Sequence, residues 1–483
     1  MTESASSSPV SGRLDRVWPA AVWAGAAVYA AALLAESISA HRQFGTGFDT
    51  AIYDQLLWLI ANGHEPFSTI VSRPMLADHF QPGLVAFVPL YWLGGGIEAL
   101  LLVQTLALAL AAPALYTLAR SFGALPALAA LPALLWLVCP FVARINLWEF
   151  RPTALLPALL VLAVLAATQG RLVLFWTTTL IALSLKEDVA ATYVMLGLLL
   201  AWFGRRRLGA AVVGISAAWL VLATVVMRAG GDSLEAFGRR FAGERGDDML
   251  EAILWMALHP LETAGDLVRE SLAGLMLLLV STAGLALLAP AWILLAAPTA
   301  LHNALSAYEP QHLLTFHYHQ TTLSALFIAA AVGVCRAREL ERLSRLALAA
   351  GLGVALALAF VGGLWAHGRW TEGVRLPGEQ TRRALDVIPP EAAVSASPHL
   401  LPSLSRRTEI YVLPEPFIPL DTGSPLSAEA FAERAERVRY VAFLRGDLPE
   451  EFPGEDGEID RLLVHGGFRE IARAGLVSVY ARD

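Results

Sequence analysis

"LVLFWTTTLIALSLKEDVAATYVMLGLLLAWFGRRR", residues 172–207, is two apolar runs parted by Lys186, Glu187 and Asp188 and closed by three consecutive arginines. Lys186 is the only lysine among the 35 Lys and Arg residues of the chain. Ionisable side chains at membrane depth are expensive, so such a triplet belongs at a water boundary or serves a task. Short basic loops mark the cytoplasmic side of a membrane protein. With Arg205, Arg206 and Arg207 inside, the run 189–203 arrives from outside and 172–186 leads out to it. The triplet then sits at the outer face.

The whole chain supports that reading. Its 483 residues are 56% hydrophobic and only 16% charged, where soluble domains carry about 25% charged residues. Mean hydropathy is +0.56, and several runs reach the ~20 residues that a spanning helix needs. The fold class is an α-helical polytopic membrane protein, multi-pass in the cytoplasmic membrane, with the lipid bilayer as its first partner. The net charge of −7 says little about nucleic acid, and with no basic stretch interleaved with aromatics no nucleic-acid partner is expected. Cys139 and Cys335 lie in apolar runs and form neither a disulfide framework nor a zinc pattern.

Counting outward from the arginines predicts about eleven spans, at 18–37, 97–119, 124–142, 153–168, 172–186, 189–203, 208–228, 272–288, 291–304, 321–335 and 346–366. The loops 120–123, 169–171, 204–207 and 335–345 fall inside. Residues 1–16 form a cytoplasmic tail, and 17–367 the membrane domain with long outer loops at 39–96 and 229–271. Within the first of these, 81–96 is apolar but short, which predicts a re-entrant or surface-lying helix. The loop 143–152 is also outside. From 368 to 483 the composition changes to alternating short strands (392–397, 409–414, 439–444, 476–481) and helices (379–388, 427–438, 458–467). That alternation predicts a small extracytoplasmic α/β domain.

On this topology the polar groups near the spans share one side. They are Asp49, Asp54 and Gln55; Arg73, Asp78 and His79; Asn146, Glu149 and Arg151; Lys186, Glu187 and Asp188; and Glu309, His312, His317 and His319. Polar groups gathered at one end of a helical bundle make a candidate site. His317 and His319, two apart, share a face of a strand or loop. Together with His79 and Asp188 they are candidates for a divalent metal with mixed N/O ligands.

The stretches "GTGFDTAIYDQLLWLIANGHEPF", "ADHFQPGLVAFVPLYWL", "LSLKEDVA" and "VSASPHLLPSLSRRTEIYVLP" resemble an uncharacterised family of prokaryotic membrane proteins, domain-of-unknown-function family 2079. That family is itself similar to the GT-C glycosyltransferases, polytopic enzymes that take sugars from polyprenyl-phosphate donors. The resemblance implies an acidic residue in the first outer loop that is essential for transfer. Asp49 matches that position, with Asp54 the nearby alternate, although Thr50 stands where the second acid of a pair is usual.

The chemistry follows from the charges. Transfer to an acceptor needs a base, for which a carboxylate serves, and the leaving lipid phosphate is met best by Arg or Lys. Asp49 is therefore the expected base. Lys186, Arg151 and Arg73 are expected at the phosphate, and Glu149, Glu187 and Gln55 among the substrate-binding groups. The partners implied are a polyprenyl-phosphate-linked sugar donor and an acceptor that the sequence does not name. A transporter or flippase of a lipid-linked or small solute, or an outer-face scaffold, would use the same polar cluster without chemistry.

Overall fold

The apolar runs fold as helices, and prolines and glycines decide where they stop or bend. The computed structural model describes residues 9–231, 245–246, 249–336, 345–346, 349–351, 353–354, 357–358, 374–420, 426–449 and 452–482. By length and composition, four described helices can cross a bilayer: Arg16–Arg42, Ile97–Ser121, Pro152–Gln169 and Arg206–Ala229. A fifth is the pair Pro126–Val138 and Pro140–Leu147, bent by 46°. Pro140 lacks the N–H that would continue the ladder, and it holds Cys139 extended (φ −68°, ψ 120°).

Fewer full-length spans are therefore present among the described residues than the sequence predicts, and the reasons are local. Leu172–Leu183 and Val189–Trp202 are helical but only 12 and 14 residues long. The expected span 272–288 is instead the end of a longer helix, Pro260–Ser281. Ala283 (φ 53°) and Gly284 (φ 70°) turn the chain after it into a short 3₁₀ segment, Leu285–Leu288. Pro290 then begins a run of short helical pieces ending with Ala297–Leu305, where one span was expected. Residues 337–344 and 359–366, parts of the expected loop 335–345 and span 346–366, lie outside the described residues, as does 232–244 of the expected loop 229–271. The helix Gln320–Gly333 has all of its residues buried and runs through the middle of the bundle.

The loops sort into two ends. At one, Arg205 donates to the Thr168 carbonyl (3.1 Å), the rings of Phe122 and Phe203 meet Trp292, and Arg336 donates to the Leu288 carbonyl (2.6 Å). These belong to the loops assigned to the inside, together with the turn before Pro290. At the other end lie residues 43–96, 148–151, 184–188 and 306–319. The apolar segment 82–92, as expected, is too short to span: a 3₁₀ turn Pro82–Phe87 runs into the helix Val88–Trp92.

Residues 374–482 build a five-stranded sheet in the order 410–412, 394–396, 440–444, 477–481, 469–474. The first three strands are parallel and the last two antiparallel. Helices Gly378–Leu385, Ala428–Arg437 and Asp456–His465 accompany it. Each of the four expected strands is present. The fifth, Arg469–Ala474, has an exposed edge face and lacks the apolar alternation that marks the others.

This C-terminal unit shares one hydrophobic core with the segment 44–101: Leu56, Leu57, Leu84 and Leu100 pack in the same cluster as Val394, Ile410 and Phe443. Buried hydrogen bonds reinforce the joint. The Thr69 hydroxyl donates to the Ile410 carbonyl (2.6 Å) and accepts from the Ile410 N–H (2.9 Å). Arg434 donates to Ser72 (2.9 Å), and the Leu376 N–H donates to the Gln43 carbonyl (2.9 Å). The unit is thus fixed to the polar end of the bundle.

Candidate functional site

Asp49 lies in the first turn of the helix Phe48–Ala61. Its carboxylate accepts a short hydrogen bond from the Arg151 guanidinium, with side chains 32% and 16% exposed. Arg151 follows the bent helix, and its own N–H is held by Gln104 (3.0 Å). Glu149 accepts the Thr50 N–H at 2.7 Å, while Gln104 also donates to the carbonyls of Asn146 and Glu149 (3.0 and 3.2 Å). Burial, followed by the Asp49 charge, pushes the Glu149 carboxyl up. The helix Pro140–Leu147 places Asn146 inside it rather than in the loop expected at 143–152. There Asn146 donates to Ser37 (3.2 Å).

Asp54 goes elsewhere. Five residues are about 500° of helical turn, so its side chain leaves the helix about 140° from that of Asp49. It is fully buried and accepts from Tyr91 (2.6 Å), Ser405 (2.6 Å) and Arg406 (3.4 Å). Gln55 is equally occupied, donating to Thr69 (2.8 Å) and accepting from Ser68 (2.9 Å) and the Thr69 N–H (3.2 Å). Both join the first long loop to the C-terminal unit. Arg73, buried, pairs with Asp78 at 3.5 Å.

The "ADHFQPG" and "SLKED" stretches interlock. Glu187 meets His79 Nδ1 at 3.0 Å and accepts the Phe80 N–H at 3.0 Å. The Gly83 N–H donates to the Ser184 carbonyl (2.8 Å). A Cβ on Gly83 would stand 2.4 Å from Ser184 Oγ and 2.9 Å from its carbonyl, so only glycine permits this approach. Lys186 pairs with Asp188 at 3.2 Å. Burial opposes its charge, but Asp188, Glu187 and Tyr318 outweigh it and keep the ammonium protonated to higher pH.

His317 is buried, with no hydrogen-bond partner for Nδ1. Burial first, then the charges of Arg151 and Lys186, hold its pKa well below the usual 6.5. His319, two residues on, turns instead toward Asn303 (3.4 Å), and burial lowers it to about 4. The segment His317–His319 is a 3₁₀ turn, and at three residues per turn i and i+2 do not share a face. The metal set His79, His317, His319 and Asp188 therefore does not come together. Among the described residues no three His, Cys, Asp or Glu side chains group to hold a metal ion. Glu309 and His312 line a separate cavity of about 300 Å³ with Arg245 and Asp266.

The polar end thus sets Asp49 and Glu149 against Arg151, and places His317 under the charges of Arg151 and Lys186. Two tyrosines that the sequence reading passed over join them. Tyr53 feels Arg151, Asp49, Asp78 and Glu187, and Tyr318 acts on Lys186 and Arg151. Tyr53 lies one residue before Asp54 and Tyr318 between the two histidines, so position was their only signal. His399, from the C-terminal unit, also reaches this end: its ring lies 3.8 Å from where a Gly47 Cβ would stand.

The crystal structure of ArnT from Cupriavidus metallidurans bound to undecaprenyl phosphate has the same fold, with a TM-score of 0.56 at 14% identity over 94% of this chain and 97% of that one. The archaeal oligosaccharyltransferase AglB from Archaeoglobus fulgidus, in complex with an inhibitory peptide and a dolichol-phosphate, matches at a TM-score of 0.42 and 16% identity, covering 88% of this chain and 69% of that one. The likeness to ArnT is one of fold. No curated protein matches the sequence. The family of predicted membrane proteins described as DUF2079 matches residues 40–435, and the chain belongs to it.

Proposed function

We propose that the chain is a membrane glycosyltransferase that moves a sugar from a polyprenyl-phosphate donor to an acceptor on the outer face of the cytoplasmic membrane. The observation that carries this reading is the Asp49–Arg151 pair, partly open to solvent, with a buried His317 that lies under the charges of both Arg151 and Lys186. A carboxylate paired with one cation, with a second cation acting on the same buried histidine, suits a reaction in which an acceptor loses a proton while a phosphate departs with the bonding electrons. The fold likeness to ArnT, whose structure holds undecaprenyl phosphate, supports the same class.

In this reading Asp49 takes the acceptor's proton, and Lys186 and Arg151 hold the carrier phosphate. The buried His317, kept neutral, offers it a hydrogen bond. Asp54 and Gln55 serve the architecture, and Glu187 clasps two loops. The basic loops at the opposite end lie inside, so the site and the C-terminal unit face out. A divalent ion would have to draw part of its shell from water and substrate.

The test is transfer of radiolabelled sugar from a panel of polyprenyl-phosphate sugars by the purified full-length protein, beside Asp49→Asn. Transfer by the wild type and not by the variant supports the reading. Transfer that survives in Asp49→Asn moves the base elsewhere. Persistent absence of transfer across donors and acceptors overturns the enzyme in favour of a transporter.

A further inference from the structure

The C-terminal unit presents one residue pair that the proposed reaction has not used. His399 and Asp447 follow the adjacent parallel strands Val394–Ala396 and Tyr440–Leu444. From the first of these the chain crosses to the neighbour on one side, Ile410–Val412, and from the second it continues to the other side. The two residues therefore stand beyond the carboxyl ends of the strands at the point where the sheet's winding reverses. Open α/β sheets place ligands there.

The pair is built rather than incidental. Asp447, 8% exposed, sets one oxygen 2.7 Å from His399 Nδ1 and accepts the His399 N–H on the other at 2.9 Å. A carboxylate only accepts, so Nδ1 carries the proton, the ring is held in place, and Nε2 is left for something else. What Nε2 faces is the notch at Gly47. The point that a Cβ would occupy lies 3.8 Å from His399 Nε2 and Cδ2 and 3.4 Å from Glu149 Oε1. Glu149 is already tied by its second oxygen to the Thr50 N–H, next to Asp49.

Two unlike groups thus border one small space. Glu149 Oε1 accepts. Burial opposes charge on the His399 ring, but the Asp447 hydrogen bond and the charges of Asp447 and Glu149 outweigh it and raise its pKa above 6.5. The N–H form of Nε2 is therefore favoured to higher pH, and it donates. An anion in the notch would meet Glu149 and a cation would meet the imidazolium. A hydroxyl, which donates and accepts at once, satisfies both.

We propose that the Gly47 notch, between Glu149 and the Asp447-held ring of His399, is a subsite for a hydroxyl of a sugar substrate, completed by the C-terminal unit. The proposal rests on the glycosyl-transfer reading and adds to it a specificity-determining residue from the far end of the chain. The hydroxyl belongs to the donor sugar or to a glycan acceptor.

Binding without turnover tests this separately from transfer. Affinities of the full-length protein in nanodiscs are measured for a panel of polyprenyl-phosphate sugars, a panel of free glycans and bare undecaprenyl phosphate. His399→Gln removes the donor, and Gly47→Ala fills the notch at ordinary contact distance from Glu149. Both should weaken a sugar-bearing ligand about tenfold, the worth of roughly one hydrogen bond to a charged group, and leave bare undecaprenyl phosphate unchanged. Weakening in the lipid-linked panel assigns the donor sugar; weakening among free glycans alone assigns the acceptor. Equal loss for the bare lipid, no loss for any sugar, or a wild type that binds neither panel overturns the subsite.

Discussion

Glu187 accepts the main-chain N–H of Phe80 at 3.0 Å across 107 residues of sequence, and its other oxygen meets His79. The middle member of the charged triplet between two apolar runs is therefore a clasp between loops. Burial works against its charge, and the His79 contact and Lys186 outweigh it, holding the carboxyl down at about 2 from 4.5. A depressed carboxyl contributes stability that is present above its unfolded value and lost as pH falls through the folded one. Glu187→Gln should cost about 1–3 kcal/mol at neutral pH. Melting of both proteins in detergent across a pH series checks this: the gap should be full above about pH 4.5 and close as pH approaches 2.

Asp49 and Asp54 sit on one helix and should fail differently. Asp49→Asn should lower transfer about 10²- to 10⁴-fold, the usual worth of a general base, at an unchanged melting temperature. Asp54→Ala strands the Tyr91 hydroxyl and leaves Ser405 with only the Pro402 carbonyl (3.1 Å). It should cost about 1–3 kcal/mol of stability, while the folded fraction keeps its kcat. A kcat collapse in a stably folded Asp54→Ala would reverse the assignment.

The lone lysine should act on the carrier rather than on the sugar. Lys186→Ala is expected to weaken bare undecaprenyl phosphate about tenfold or more, since a charge-assisted contact to phosphate is lost. Titrating the lipid into wild type and variant measures it. Equal affinities would remove Lys186 from the phosphate site.

Asp447→Asn should shift the titration of His399 to lower pH. Its hydrogen bond and charge are what raise the ring's pKa against burial, with Glu149 the other charge acting on it. Sugar binding that needs the protonated ring falls as pH rises through that value, so in the variant it should fall earlier. NMR titration of the histidine Cε1–H signals, with His399→Gln to assign the peak, measures the shift directly. A peak that stays in place would show that Asp447 does not govern the ring.

The bundle was legible in the sequence because lipid-facing helices obey a simple solvent rule and arginines mark one side. Residues 168, 205, 288 and 336 meet at one end as that rule requires. Residues 81–96 were legible as non-spanning because their apolar run is short. Between 272 and 304 the two expected helices were legible as flanking Pro290 but not as interrupted: Ala283 and Gly284 turn the chain inside the first and short pieces make up the second, since an apolar run does not say whether its helix is continuous. Asp49 is marked as a candidate by its place after the first span, and the structure pairs it with Arg151. Asp54 carried the same local signal, and its burial against Ser405 and Arg406 appears only once distant segments dock. His399 was missed for the same reason. Its local clue, a histidine just past the strand "VSAS", has no weight until Asp447 and Gly47 stand beside it.

The reciprocal pair between Thr69 and Ile410 spans 341 residues, and this separation imposes an order of assembly. Closing so long a loop is slow, so contacts of this kind form late. Thr69, Gln55 and Asp54 find their far partners in a stretch that leaves the ribosome only after the membrane helices. Until then the first loop carries polar groups that it cannot bury. A nascent chain already threaded through the membrane would hold Asp49 and Arg151 without the segment that closes over them. The site matures only after the segment that follows the bundle has been made.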